Sequence, residues 1–340
     1  MLTSRVPSAQ EVSNFVAPSR AFAITSRLAL ATSILMFGLI VIGSVVRTTG
    51  SGLACPDWPL CQGRIIPPFQ FNVLIEWFHR CVALLVSLLL FATVAWIVTH
   101  RAVRARLGGV AGLAVLLLFV QVLLGALTVW KLLAPQVVSA HLATALALFT
   151  TMLTTALVAR AGVGDVHEDP APAVVPARAE SGSLTPLFAI ATSLTFVQAL
   201  LGGIVSTNGA GLACPDWPTC NGVLFPPMQG AVALQMLHRF GAYTLLAVML
   251  MVLVRTRRVA DPALRSGGGL LFGLTLVQAL FGILNVRLGI PVWLTALHLG
   301  VATAILALGV TLTFLSATPA FTGSRAPRPG ADAPGAPVVA

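Results

Sequence analysis

Four of the six histidines in this chain, His79, His141, His238 and His298, stand inside long apolar runs. An ionisable side chain in lipid is costly and marks a functional site by default. A single such imidazole would equally well serve as a hydrogen-bonding core residue. Four of them at one depth weaken that reading. Each lies about one and a half turns into a segment that starts on the same side, on the order of 9 Å from that surface at 1.5 Å per residue. Two opposed imidazoles in an apolar bundle suit axial ligation of haem iron, because the macrocycle needs an apolar slot. A zinc site would want three or four converging ligands, and each half of the chain offers two such histidines. Covalent c-type haem needs C-x-x-C-H, which is absent. The pattern predicts two haem sites, one per half, while His100 and His167 read as solvated surface residues.

Four of the five cysteines form two C-x₅-C loops, Cys55/Cys61 and Cys214/Cys220, each enclosing two prolines. Three readings stay open: a tight redox-active disulfide, a staple over the haem pocket, and a four-cysteine metal site bridging the loops. Cys81 reads as a buried apolar residue. Glu76 precedes His79 by three residues and shares its helix face. Among the acidic residues it alone falls inside an apolar segment, and its counterpart in the second half is Gln235. A buried carboxyl beside a haem edge could act as a base or stabilise a developing cation; the plainer alternative is an ion pair with Arg80 at i+4. Arg47, Lys131 and Arg287 at helix ends, and Arg80 and Arg239 beside the histidines, are candidates for haem propionates or for routine interfacial anchoring. Arg47 also has a neutral counterpart, Ser206. The N-terminal half therefore reads as catalytic and the C-terminal half as a permanent cofactor site.

The elements that position these residues follow from composition. Of 340 residues, 57% are hydrophobic and 9% charged, with a mean hydropathy of +0.94. A soluble domain carries about 25% charged residues, so an ordinary globular protein is excluded. Roughly 20 apolar residues cross a hydrocarbon core, and eight segments qualify: about 25–46, 73–99, 107–130, 136–160, 186–206, 232–254, 267–286 and 291–316. Continuous apolar runs satisfy their backbone in lipid only as helices, so the fold class is an all-α polytopic membrane protein. Fourteen Arg fall in the two tails and the 2–3, 4–5 and 6–7 loops, against four Lys or Arg in the other loops. This bias predicts cytoplasmic termini and extracytoplasmic cysteine loops. The net charge of +10 thus sets topology, and nucleic acid is not an expected partner.

The chain also repeats itself. GSGLACPDWPLC at 50–61 returns as GAGLACPDWPTC at 209–220, and EWFHR at 76–80 returns as QMLHR at 235–239; FVQVLLG at 119–125 matches LVQALFG at 276–282. Four spans per half give both halves one orientation, as parallel repeats. The expected organisation is a cytoplasmic tail (1–24), an N-terminal four-helix bundle (25–160), a Pro- and Ala-rich cytoplasmic linker (161–185), a C-terminal four-helix bundle (186–316) and a disordered cytoplasmic tail (317–340).

Eight spans in two four-helix repeats, the EWFHR motif, the four membrane histidines and the outer C-x₅-C loop together resemble haem A synthases, over residues from about 25 to 316. The resemblance implies an oxidoreductase of the plasma membrane that oxidises a methyl group of haem O to the formyl group of haem A. It further implies that water supplies the oxygen, that the product serves terminal oxidase assembly, and that haem b is the resident cofactor. It implies that His79 and His141 face haem O with Glu76 as the catalytic carboxylate. His238 and His298 would ligate haem b, and Cys55 and Cys61 would be the functional pair. Some members lack a second pair, so the resemblance assigns no role to Cys214 and Cys220. The implied partners are haem O, a haem O synthase, a membrane or quinone electron acceptor and the bilayer; a homo-oligomer is compatible with it. The alternative is a di-haem electron-transfer protein of the quinone-linked cytochrome b type. It explains four histidines but gives no reason for Glu76 against Gln235.

Overall fold

The computed structural model describes residues 9–164 and 183–318. Eight long helices account for most of them: α1 (Ala9–Thr48), α2 (Phe71–Thr99), α3 (Arg101–Trp130), α4 (Pro135–Gly164), α5 (Thr185–Thr207), α6 (Gly230–Thr256), α7 (Pro262–Arg287) and α8 (Val292–Ala317). All eight are long and apolar enough to cross a membrane, α1 through its portion Ser19–Thr48. Among the described residues there is no β-strand, only one isolated bridge in each cysteine loop.

Helix boundaries agree with the apolar runs to within about six residues except at the start of α1, which begins at Ala9, far ahead of the apolar run. That polar extension carries no hydropathy signal. α4 continues to Gly164, into the expected linker. The rest of the expected linker, with His167, and nearly all of the C-terminal tail lie outside the described residues.

Within each set of four consecutive helices, neighbours in sequence pack together, and the first helix also packs on the fourth, α1 on α4 and α5 on α8. Contacts between the sets run through α1, α4, α5 and α8. Leu90, Leu146, Leu148 and Met152 centre one apolar core, and Phe188, Met249, Leu264 and Leu271 another. Outward faces are apolar as well, with Leu84, Leu88, Phe91, Leu116 and Phe119 all exposed on α2 and α3. A soluble bundle would place charge there, whereas a bilayer makes these faces favourable. Helical hydroxyls are satisfied locally: Thr25, Thr32, Thr93, Thr195 and Thr275 each donate to the carbonyl four residues back at 2.8–2.9 Å.

The turns are tight. A single residue, His100, joins α2 to α3, and Asp261 caps α7 by accepting from Ala263 N at 2.8 Å. The α3–α4 turn holds Leu132 and Leu133 at φ 50° and 59°, and the α7–α8 turn holds Gly289 and Ile290 at 72° and 60°. Positive φ is unusual for leucine and isoleucine. It aims Leu133 at Gly52 and Ile290 at Gly211, where an added Cβ would lie 3.2 and 2.5 Å from the side chain. Each turn thus plugs an apolar side chain under a cysteine loop.

Candidate functional site

The four membrane histidines come from α2, α4, α6 and α8, and each rests on a glycine of the helix before it. A Cβ on Gly43 would stand 3.3 Å from Cε1 of His79, and one on Gly125 equally close to His141; at Gly202 and Gly282 the distances to His238 and His298 are 3.0 and 3.2 Å. The absent side chains let α1, α3, α5 and α7 accept an imidazole against bare backbone. His79 is near enough to His141 to interact electrostatically, and His298 to His238. The structure therefore brings the predicted residues together as two pairs.

Glutamines lie beside three of these rings. Gln121 Nε2 is 3.3 Å from His141 Nε2, Gln198 Nε2 is 3.0 Å from His238 Nδ1 and donates to the His238 carbonyl at 2.7 Å, and the backbone of Gln278 interacts with His298. Nδ1 of His79, His141 and His298, and Oε1 of all three glutamines, are buried without a partner. Reading the sequence missed both the glycine cradles and these amides. Their signal was present in FVQVLLG and LVQALFG, whose shared Gln and Gly served only to mark the repeat.

Glu76 is buried at 4% exposure and fully engaged. Its Oε1 pairs with Arg80 Nη2 at 2.5 Å, and its Oε2 accepts from Cys55 N at 2.8 Å. Arg80 in turn donates to the carbonyls of Asp57 and Leu60 at 2.7 Å and of Cys55 at 2.9 Å. The i+4 ion pair is therefore formed, and both side chains are turned to the cysteine loop. In the second half Arg239 makes the matching clamp, donating to Cys214 O at 2.7 Å and Thr219 O at 2.8 Å. Gln235 is also buried there, its Oε1 unpartnered.

The cysteines pair within each loop, Cys55 with Cys61 and Cys214 with Cys220, and all four are buried. This overturns the bridging four-cysteine site, and among the described residues no three His, Cys, Asp or Glu gather as a metal site. Cys81, expected to be buried, is exposed on the outer face of α2. An aspartate ties each loop. Asp57 accepts from Gln62 N and Gly63 N at 2.6 and 2.7 Å, and Asp216 accepts from Asn221 N and Gly222 N at 2.6 and 2.9 Å and from the Thr219 hydroxyl. The Gly63 N–H is the main influence holding the Asp57 carboxyl below its ordinary range. The Thr219 hydroxyl, followed by the Gly222 N–H, pulls Asp216 down to about 2.

Comparison with known proteins gives this arrangement a family. The chain matches the cytochrome oxidase assembly protein family over residues 26–72 and 68–310. It is 31% identical to a haem A synthase of Symbiobacterium thermophilum, over 76% of this chain and 84% of that one. The chain belongs to the haem A synthase family. Haem A synthases of Methylobacterium nodulans and Shewanella oneidensis are similar to it at 29% and 28% identity, over 81% and 82% of this chain and 87% and 93% of theirs.

The haem that a haem A synthase implies fits the residues present. Each half offers two imidazoles in an apolar setting, without the third ligand a zinc site would need. Buried ring nitrogens without a protein partner, in His79, His141 and His298, are the atoms such a group would leave to be satisfied. The remaining basic residues are placed differently from one another. Lys131 and Arg287 are exposed at the ends of α3 and α7. Arg47 at the end of α1 reaches across to donate to the carbonyl of Ser206 on α5. Residues including Ile42, Val45, Leu74, Ile75 and Phe78 line an open apolar cleft of about 460 Å³ between α1 and α2.

Proposed function

We propose that this chain is a haem A synthase that oxidises a methyl group of haem O to a formyl group with water as the oxygen source. The balance fixes what the protein must manage: a methyl group and one water become a formyl group, releasing four electrons and four protons. Electrons therefore leave to an acceptor, which we assign to a membrane component of the quinone class. The observation that carries the reading is the paired nesting of four imidazoles, with an ionisable Glu76 in one half and Gln235 in the other.

The two halves divide the work as parallel four-helix repeats, 25–160 and 186–316. His238 and His298 hold haem b in the second half, and that group supplies one-electron transfer when bound. His79 and His141 orient haem O in the first half. The apolar cleft between α1 and α2 suits lateral entry from lipid, with the farnesyl tail left in the membrane. Glu76 and Arg80 fasten the Cys55–Cys61 loop over this half, which excludes bulk water from an apolar pocket. The buried carboxylate also places a negative charge beside that pocket, where a developing cation would be stabilised. Arg80 and Arg239 serve the loops first, which leaves Arg47, Lys131 and Arg287 as the groups better placed to meet propionates. The arginine bias puts both termini in the cytoplasm and the cysteine loops outside, and a haem O synthase is the expected supplier of substrate.

Expression with a haem O supply, followed by haem extraction and mass analysis, tests the assignment. Formyl-haem is the expected product. Bound haem with no formyl product would sink the enzyme reading and leave an electron carrier.

A further inference from the structure

Behind each cysteine pair the chain runs through a short apolar segment that the bundle leaves uncovered. Ile65, Ile66 and Phe69 surround Pro67 and Pro68 in the first half, and Leu224, Phe225 and Met228 surround Pro226 and Pro227 in the second. All six of these apolar side chains are exposed, Phe69 at 84%, Ile65 at 80% and Phe225 at 76%. The residues differ between the halves while their character does not, which marks a demand for apolarity rather than for one shape. Exposed polar residues bracket both segments, Gln62, Arg64 and Gln70 in one and Asn221 and Gln229 in the other. Both loops are drawn down along the helices instead of standing above them. Trp77, six residues past the start of α2 and so roughly 9 Å along it, donates from Nε1 to the Ile65 carbonyl at 2.8 Å. Trp217 of the second cysteine loop donates at 3.2 Å to the hydroxyl of Tyr243, thirteen residues past the start of α6. Trp58, Trp130, Trp217 and Trp293 are all exposed on this side, as in the aromatic belt where a bilayer meets water.

We propose that segments 65–69 and 224–228 are interfacial anchors, which insert their apolar side chains into the lipid leaflet on the cysteine-loop side and so hold both loops in the membrane interface. The bilayer is the occupant because these side chains continue a surface that lipid already covers. Phe69 leads into exposed Phe71 at the start of α2, and Phe78 and Leu85 follow at seven-residue spacing, carrying the same exposed face deeper. Leu237 and Phe240 are exposed likewise on α6, beyond Met228. The backbone chemistry fits the same place. A chain that enters lipid must keep few unpaired donors. Each segment holds two prolines, which have no N–H. The N–H of Gln70 donates to the Pro68 carbonyl at 2.9 Å, and that of Gln229 to the Pro227 carbonyl at 3.0 Å. Arg64, exposed directly before Ile65, stands where a guanidinium meets lipid phosphate. Lipid thus holds each loop against its own half from the side opposite the Arg80 and Arg239 clamps. This inference needs only the membrane spans and stands apart from the haem A synthase reading.

The test places nitroxide labels on the full-length protein in nanodiscs of phosphatidylcholine and phosphatidylglycerol, with Cys81→Ser removing the one free thiol. Ile66→Cys and Phe225→Cys carry the label in the two segments, with Phe69→Cys and Met228→Cys as a second site in each; all four positions are exposed, so the changes leave packing alone. Leu84→Cys on the lipid face of α2 and Arg258→Cys in the α6–α7 turn are the lipid and water references. Power-saturation EPR then compares collisions with oxygen, which concentrates in lipid, and with the nickel chelate NiEDDA, which stays in water. Oxygen access is expected to exceed nickel access in both segments, as at Leu84→Cys, with the order reversed at Arg258→Cys. Nickel access equal to or above oxygen access in either segment would overturn the inference, because the loop would then stand in water. Low access to both reagents would overturn it as well, because a protein surface would then cover the segments.

Discussion

Replacing Glu76 by Gln isolates what its charge does for the cysteine loop. The glutamine keeps an acceptor for Cys55 N–H but removes the negative partner of Arg80, now 2.5 Å away. Breaking a buried ion pair outright costs about 3–5 kcal/mol. That figure is an upper bound here, because Arg80 retains three loop carbonyls and is not left unpartnered. The loss is better set by one charge-assisted hydrogen bond, about 1.5–3 kcal/mol. Arg80 is only 17% exposed, so solvent screening takes little from it. If reduction requires the loop to open, the Cys55–Cys61 bond should be reduced roughly 10–100-fold faster in Glu76→Gln. The assay is timed reduction with dithiothreitol, alkylation of free thiols and mass spectrometry of the two cysteine peptides. Cys214–Cys220 is the internal reference, since Gln235 already stands beside it, and its rate should not move. Equal rates for Cys55–Cys61 in wild type and variant would refute the clamp. In cells the same variant should keep haem b while haem O accumulates.

Three further outcomes are expected. Gly202→Ala puts a methyl group 3.0 Å from His238 Cε1 and should lower the resident haem absorbance. Gly43→Ala, at 3.3 Å from His79, should spare that absorbance and lower haem A output instead; the two readouts are optical spectra and extracted haem. His238→Ala and His298→Ala should each abolish the resident haem spectrum in purified protein, with His79→Ala leaving it in place. Asp216 has a folded pKa drawn below its unfolded value, to about 2. Its tie to the loop is therefore present above the ordinary aspartate pKa near ~3.9 and lost as pH falls through about 2. Trp217 fluorescence should report that acid transition, and Thr219→Val should raise its midpoint.

The spans were legible because each is one uninterrupted apolar run, and the histidines because an ionisable group stands out against that background. The Glu76–Arg80 pair was legible as an alternative, since i+4 spacing alone permits it. Other features left no local trace. The polar start of α1 is helical although hydropathy says nothing about it. Gly43, Gly125, Gly202 and Gly282 look like any glycine of a membrane helix until an imidazole is seen against them. The contact between Arg47 and Ser206 joins residues 159 apart, a distance over which neither periodicity nor composition carries information. Cys81 points outward because its neighbours on α2, not its own polarity, decide which side faces the bundle.

That same contact bears on why this architecture is one chain. Arg47 and Ser206 occupy equivalent places in the two copies of the repeat, and they touch. In a pair of identical four-helix subunits, a residue at such a seam would meet its own twin. Two guanidinium groups would then face each other in a low-dielectric setting, a mutual repulsion that no choice of residue at that single position could make complementary except by giving up the charge. A covalently joined tandem escapes this constraint. It can keep a cation on one side of the seam and a small neutral residue on the other, whose main-chain carbonyl takes the hydrogen bond, and each half becomes free to specialise without carrying its neighbour's mutations.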